Sequence, residues 1–509
     1  EENNSATYNM PVALQLSGDL NTEALQRSLH WLQERHSSLR TCFPEKDGQA
    51  TVQVQEVEQI APLLVHHMDD LSGEALRAEI RNRADSHAVA PFDIEQGPLF
   101  KAELLRVNDR EAVLLLNMHH IISDGWSMGV FVRDWQDAYT AFAQGGQPSR
   151  PRLAIQYSDY AAWQRNWLQG EVLQRQAEYW RGQLAGIPEL LELPADRPRP
   201  PRQSYQGAQY SRRLSAELSE KITALSRKAG VSDFMTLLAV FNLLLSRYSR
   251  QDDICVGSPI ANRTHSQTED VIGFFVNTLV LRSRPEPNSS FTDFLLDIRQ
   301  PCLEAYAHQD IPFEMLVEQL QPARSLSHHP LFQVMFVLQN NESSELKLSG
   351  LDVTMLEAEY PVAKFDLTLS MEEQDGRFCC VWEYATDLFE AETVERMAEH
   401  FEMLLHAVVD NPKQSVSQLP MLTKNEVQQL QTWNDTATEY PADKTIVDLF
   451  EEQVEKTPDN IAVVFPSAGS GHGEEQQLTY AELNQQSNQL ACYLLNLKDG
   501  SKHSTVDFL

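Results

Sequence analysis

The chain has 509 residues, 42% hydrophobic and 22% charged, with a formal net charge of −32. That is a soluble, globular composition in a chain too long for one core, so two to four domains are expected. The acidic balance argues against nucleic acid and anionic membrane as partners, since binding phosphate needs basic patches. With no run of ~18 apolar residues and no basic-apolar leader, a cytoplasmic location is expected. The chain opens on Glu1-Glu2-Asn3-Asn4 without a methionine and reads as a piece of something longer. Six scattered cysteines, with no C-x-x-C pair, read as reduced, buried thiols rather than disulfides or metal ligands.

In chain order, Leu25, Leu29 and Leu32 form a helical stripe, and Val52, Val54 and Val57 alternate as a half-buried strand. Phe100 to Val107 and Ala112 to His120 read as adjacent strands. Phe131, Trp135, Ala138 and Phe142 give the apolar face of a following helix. The proline-rich stretch from Leu193 to Pro201 forces an extended connector. Beyond it, Ser232 caps a helix from Asp233 to Tyr248 that is apolar nearly all round and therefore buried. Strands follow at Ile254 to Ile260, Leu331 to Leu338, Phe365 to Met371 and Phe378 to Tyr384, the last two joined at Asp375-Gly376. Helices are predicted near Phe291 to His308 and Thr393 to Val409. After a polar linker come a helix (Ile446 to Lys456), a strand (Ile461 to Phe465), a Gly/Ser loop at Ser467 to Gly473 and a second helix entered through Leu478-Thr479-Tyr480.

The stretch Met118-His119-His120-Ile121-Ile122-Ser123-Asp124-Gly125-Trp126-Ser127 ends the second of the adjacent strands. A neutral imidazole accepts a proton near pH 7, and an acid four residues on can hold the geometry or an arginine. Neighbouring strand residues face opposite sides, so one imidazole of the pair faces a given cleft. Gly125-Trp126-Ser127-Met128-Gly129 also fits G-x-S-x-G, the nucleophile elbow of serine hydrolases and thioesterases. Here Ser123-Asp124-Gly125 interrupts the strand that should run into such an elbow, and Ser127 also reads as a helix cap. His66-His67 and His328-His329 read as surface or loop histidines.

Six segments occur in a fixed order: Arg35 to Thr41 (RHSSLRT), His119 to Gly125 (HHIISDG), Tyr157 to Trp163 (YSDYAAW), Ile272 to Thr278 (IGFFVNT), His308 to Glu314 (HQDIPFE) and Pro330 to Phe336 (PLFQVMF). Together they resemble the motifs of the nonribosomal peptide synthetase condensation domain. Leu478 to Leu483 resembles the first adenylation-domain motif. The resemblance implies an α/β fold: two chloramphenicol-acetyltransferase-like lobes in a V-shaped pseudo-dimer, plus a small α/β fragment at the C-terminus. The implied domains are an N-lobe at 1–168 lacking the family's first motif, a C-lobe at 169–425, a linker at 426–440 and a truncated adenylation start at 441–509.

The implied activity is amide formation between an upstream carrier-bound acyl or peptidyl thioester and a downstream carrier-bound aminoacyl amine, in a tunnel entered by one phosphopantetheine arm from each face. No cofactor or metal is expected on this chain. The partners are the two peptidyl carrier domains and the remainder of the adenylation domain. By resemblance His120 serves the reaction, as proton acceptor or as positioning group, while His119 is structural. Asp124 is a structural ion-pair partner, with Arg35 or Arg40 nominated as its arginine and Arg282 as the alternative. Gly125 leaves room for a backbone N–H to meet an oxyanion, and Asn277, Gln309 and Gln339 are candidates to line the cleft. The segments Ser123 to Ser127 and Phe274 to Leu279 resemble the subtype joining two L-residues. A serine thioesterase using Ser127 and a non-catalytic carrier-docking fragment are the alternatives.

Overall fold

The computed structural model describes residues 6–60, 62–323, 325–339, 346–356, 362–465 and 476–500. The chain divides into two compact units, Glu1–Lys424 and Asn425–Leu509. The Gly/Ser loop at Ser467 to Gly473 lies outside the described residues.

The first unit is built on two sheets. One runs Leu351–Met355, Asn9–Gly18, Glu111–His119, Phe100–Arg106, Leu64–His67; only its last pair is parallel. Alternation sorts its side chains. Leu14, Leu16, Leu114 and Leu116 pack under the helices Thr22–Arg35 and Gly125–Ala143. Ala13, Val113 and Leu115 face Leu76, Ile80 and Ala84 of the helix Gly73–Val89. The strand Glu111–His119 is thus covered on both faces, which is why its sequence is continuously apolar.

The second sheet runs Asn277–Ser283, Ile254–Ile260, Val334–Gln339, Leu367–Gln374, Arg377–Ala385, Gly207–Arg213, with parallel pairs flanking Val334–Gln339. Its main helix, Asp233–Ser249, is capped by Ser232, whose Oγ accepts from the Met235 N–H, and is buried continuously from Met235 to Leu245. Asp375 and Gly376 both have positive φ (51° and 70°), as a tight hairpin turn requires.

The lobes exchange chain. Leu351–Met355 leaves the range expected for the C-lobe and pairs with Asn9–Gly18, from Leu14↔Met355 to Gly18↔Leu351. Ile272 and Leu348 from the same range are buried in the first lobe's core. The Val52-Val54-Val57 strand is not formed as expected. Gln53–Val54 pairs only with Thr41–Cys42, and Val57–Gln59 is a turn of 3₁₀ helix. Val52 is exposed, so the alternation there lines no core.

In the second unit, Thr445 and Asp448 form a capping box for the helix Ile446–Lys456, and the strands Ile461–Phe465 and Gln476–Thr479 form a hairpin. Thr479 and Glu482 cap the helix Tyr480–Gly500 reciprocally, which is the physical content of the Leu478 to Leu483 motif. Among the described residues no single helix is long and apolar enough to cross a membrane.

Candidate active site

The strand Glu111–His119 delivers its last imidazole and the first of the following 3₁₀ turn, His120–Ile122, to the lobe boundary. His119 is buried; its Nδ1 accepts the Ile121 N–H at 3.1 Å, and its ring meets Phe92 edge-on at 6.1 Å. Burial, helped by the neighbouring His120 and Lys364, lowers its pKa to about 4. His120 is half-buried. Its main-chain N–H donates to the Tyr8 carbonyl at 2.8 Å, and its ring stands edge-on to Phe274 at 5.2 Å. Its Nδ1 is buried without a hydrogen-bond partner. Burial first, then Lys364, hold the His120 imidazole below its ordinary value, opposed by nearby backbone and by Asp124. Both imidazoles are therefore held toward the neutral form at pH 7; the His119 Nδ1 is engaged by the Ile121 N–H, whereas the His120 Nδ1 has no partner.

Asp124 is buried and caps the helix Gly125–Ala143 by accepting the Ser127 N–H at 2.8 Å. Its other oxygen accepts the N–H groups of Phe275 (2.8 Å) and Val276 (3.1 Å) from the opposite lobe. Its cation is Arg263, at 3.3 Å, with both side chains almost completely buried. The nominated arginines serve elsewhere. Arg35 pairs with Asp134 and the Pro151 carbonyl, and Arg40 binds the carbonyls of Gln33 and Gln55. Arg282 pairs with Asp253 inside the second lobe. Sequence spacing could not find Arg263, because the pair closes across 139 residues.

Ser127 neither caps the helix nor stands as a free nucleophile. It is fully buried; its Oγ donates to the Gly273 carbonyl at 2.9 Å and accepts from Arg263 (2.7 Å) and the Gly273 N–H (3.1 Å). None of these partners is an imidazole. Trp126 Nε1 donates to the Glu269 carbonyl, Arg133 pairs with Asp270 at 2.7 Å, and Tyr157 Oη donates to the Phe274 carbonyl. Gly273 must be glycine, since a Cβ there would meet the Tyr157 ring at 2.2 Å. Asn277 does not line the cleft. Its amide donates to the carbonyls of Gln309 and Ile311 and accepts the N–H groups of Thr278 and Phe313, pinning the loop around Gln309 to the start of the strand Asn277–Ser283.

A cavity of about 700 Å³ opens between the lobes, reaching the pair on the His119 side. Tyr8, Phe92 and His119 line one wall; Arg202, Tyr205 and His329 lie on the other. His328 also lines it, so the His328-His329 pair lies in a loop, one of the two places expected, but is buried or half-buried there; His329 packs among Phe313, Phe332 and Phe365.

This arrangement has known counterparts. The family model described as "Condensation domain" matches residues 1–431. The chain belongs to the condensation-domain family. It is 45% identical to one of the linear gramicidin synthase proteins of Brevibacillus parabrevis over 96% of its length and 9% of that protein's. It is 44% identical to malpibaldin synthetase of Mortierella alpina over 94% of its length and 8% of that protein's. The chain thus spans less than a tenth of these curated relatives. Among solved structures, the X-domain from teicoplanin biosynthesis superposes with a TM-score of 0.74 at 27% identity, covering 83% of this chain and 94% of that one. The fold is the two-lobed, chloramphenicol-acetyltransferase-like one of condensation domains.

This condensation domain carries an acid-sensitive interior. Burial holds His36, His87, His119, His120 and His329 below the ordinary imidazole value. Unfolding releases them to bind protons, so the unfolded chain takes up more protons than the folded one and stability falls as pH falls. For His119 the loss runs from pH 6.5 down to about 4. Scanning calorimetry is expected to show a melting temperature that declines already in the upper part of that window, before the carboxylates titrate.

Proposed function

We propose that this chain joins an upstream carrier-bound acyl or peptidyl thioester to the amine of a downstream carrier-bound aminoacyl group, with the chemistry at His120. The observation that carries the reading is an uncommitted imidazole at the end of a core strand, set against the other lobe, in a chain whose family is the condensation domain. The α-amino nucleophile has a free pKa of about 7.7–8.0, so part of it is neutral at pH 7. The thioester is already activated, so orientation and stabilisation of the tetrahedral adduct make up much of what remains. The amine nitrogen attacks the thioester carbon, a proton passes from nitrogen to His120, and collapse expels the upstream thiolate, which takes up a proton. Neutral His120 suits that transfer; His119, with Nδ1 engaged, is architecture.

Gly125 is exposed at the first turn of its helix, where N–H groups lack intrahelical partners. An added Cβ would meet nothing within 4 Å, so the fold itself does not demand glycine there. N–H groups of an exposed first helical turn suit an oxyanion. Gly125→Ala is expected to melt like the parent yet form amide roughly tenfold more slowly; equal rates would remove Gly125 from the reaction.

The two carriers, with their phosphopantetheine arms, are the proposed partners, and L-to-L joining is the proposed subtype. The second unit is proposed as the start of an adenylation domain. Ile446, Ile461, Phe465, Tyr493 and Leu495 are exposed there, an apolar surface fitting coverage by the rest of such a domain. The test of the reaction is a two-carrier incubation. Amide on the downstream carrier is expected only when its amine is free, and product formation with an N-acetylated acceptor would overturn the reading.

A further inference from the structure

Lys364 approaches the histidine pair from the other lobe. It lies between the bridge Gln206↔Val362 and the strand Leu367–Gln374. Its Nζ is 5.0 Å from the centroid of the Tyr8 ring. Tyr8 supplies the carbonyl that anchors the His120 N–H at 2.8 Å, and its ring is 6.1 Å from that of His119. One lysine thus rests on the residue that touches both histidines. Among the described residues Lys364 forms no ion pair. Its own pKa is lowered by burial and partly restored by Glu383 of the strand Arg377–Ala385, whose carboxyl is in turn raised by burial.

A half-buried ammonium against an aromatic face is a costly way to fill space, because desolvating a charge is unfavourable and the ring returns only part of that cost. A methionine would pack there without it. We propose that Lys364 is a positioning residue for the reaction, a cation set against Tyr8 and the histidine pair that biases the pair toward its uncharged, proton-accepting form. This rests on the amide-forming reading above. An uncharged His120 is what the proton leaving the attacking amine requires, and a cation beside it opposes premature protonation from solvent. Lys364 acts through His120 and need not touch the substrates.

The other groups set against the pair are Asp124 and Tyr8 from the first lobe, while Glu383 of the second acts on Lys364 itself. Asp93, Glu95, Arg202, His328 and His329 share the cavity at His119. Lys364 also lowers the Glu383 carboxyl, so the Lys364 variants are compared in a Glu383→Gln background as well, where their difference isolates the lysine charge.

The test uses the full chain with ¹³C-labelled histidine, following the His120 ring resonance by NMR through a pH titration, with assignment by His120→Gln. Removing a nearby positive charge favours imidazolium. The His120 midpoint is therefore expected to rise by roughly half a pH unit or more in Lys364→Met and to stay near the parent value in Lys364→Arg. The acidic limb of the amide-forming rate should move the same way. A residue that only fills space would lower the rate at every pH and leave the midpoint in place. An unchanged midpoint in Lys364→Met overturns the inference, and Lys364→Gln gives the same reading should the methionine variant fail to fold. If the midpoint moves but the parent forms no amide, the reaction reading falls and takes the catalytic role with it. If amide forms and the midpoint does not move, the inference alone falls.

Discussion

His120→Ala is expected to lower single-turnover amide formation by roughly a hundredfold or more, with both loaded carriers still binding. The imidazole sits at the lobe boundary with an unpartnered, buried Nδ1, whereas the His119 Nδ1 is engaged by the Ile121 N–H. Two variants separate proton acceptance from positioning. His120→Asn keeps a hydrogen-bonding side chain of similar reach but cannot accept the proton near pH 7. If His120 is the acceptor, both variants lose the acidic limb that reports imidazole titration, and Asn rescues little. If it mainly holds the amine, Asn restores a large part of the rate. Full activity in His120→Ala would remove the histidine from the chemistry altogether.

Asp124→Ala is expected to be the most damaging change to the first unit's stability, costing about 3–5 kcal/mol. The carboxylate accepts three main-chain N–H groups, from Ser127, Phe275 and Val276, besides pairing with Arg263. Its loss strands those donors and leaves a buried guanidinium beside Ser127 and two carbonyls. Arg263→Met is expected to cost less, because Asp124 keeps its three N–H donors. Denaturant unfolding of both single variants and the double variant should show strong coupling, the double costing far less than the sum. Activity should fall with the integrity of this clamp, since Phe274, which faces His120, is carried on the clamped segment. The acidic limb of the rate should move slightly to lower pH, because the Asp124 charge is one of the influences that raise the His120 imidazole. A large loss of rate at unchanged stability would instead mark Asp124 as an orienter of His120, contrary to its hydrogen bonds.

Elements whose side chains repeat against one core were legible in the sequence. The helix Asp233–Ser249 and the strands Ile254–Ile260 and Glu111–His119 follow the expected bounds closely, because continuous burial writes itself as continuous apolarity. The strand Leu351–Met355 left no such mark; it is short, largely exposed, and held by pairing with Asn9–Gly18 rather than by burial. The site divides the same way. The His-His-x-x-x-Asp-Gly stretch announced itself because polar residues end a buried strand. Arg263 and Lys364 are single cations in loops whose partners are remote in sequence, and local spacing carries no trace of them. Asn277 was legible as a buried amide, but only the loop around Gln309 to Phe313 reveals that backbone groups use its whole hydrogen-bonding capacity.

The most direct measurement is of where the acyl group goes. In a single turnover with an isotope-labelled acyl group on the upstream carrier and an aminoacyl group on the downstream one, intact-protein mass spectrometry reads both carriers. Transfer of the label to the downstream carrier as an amide, dependent on His120, is the predicted result. Label released as free acid, or retained upstream by the parent chain, would contradict it.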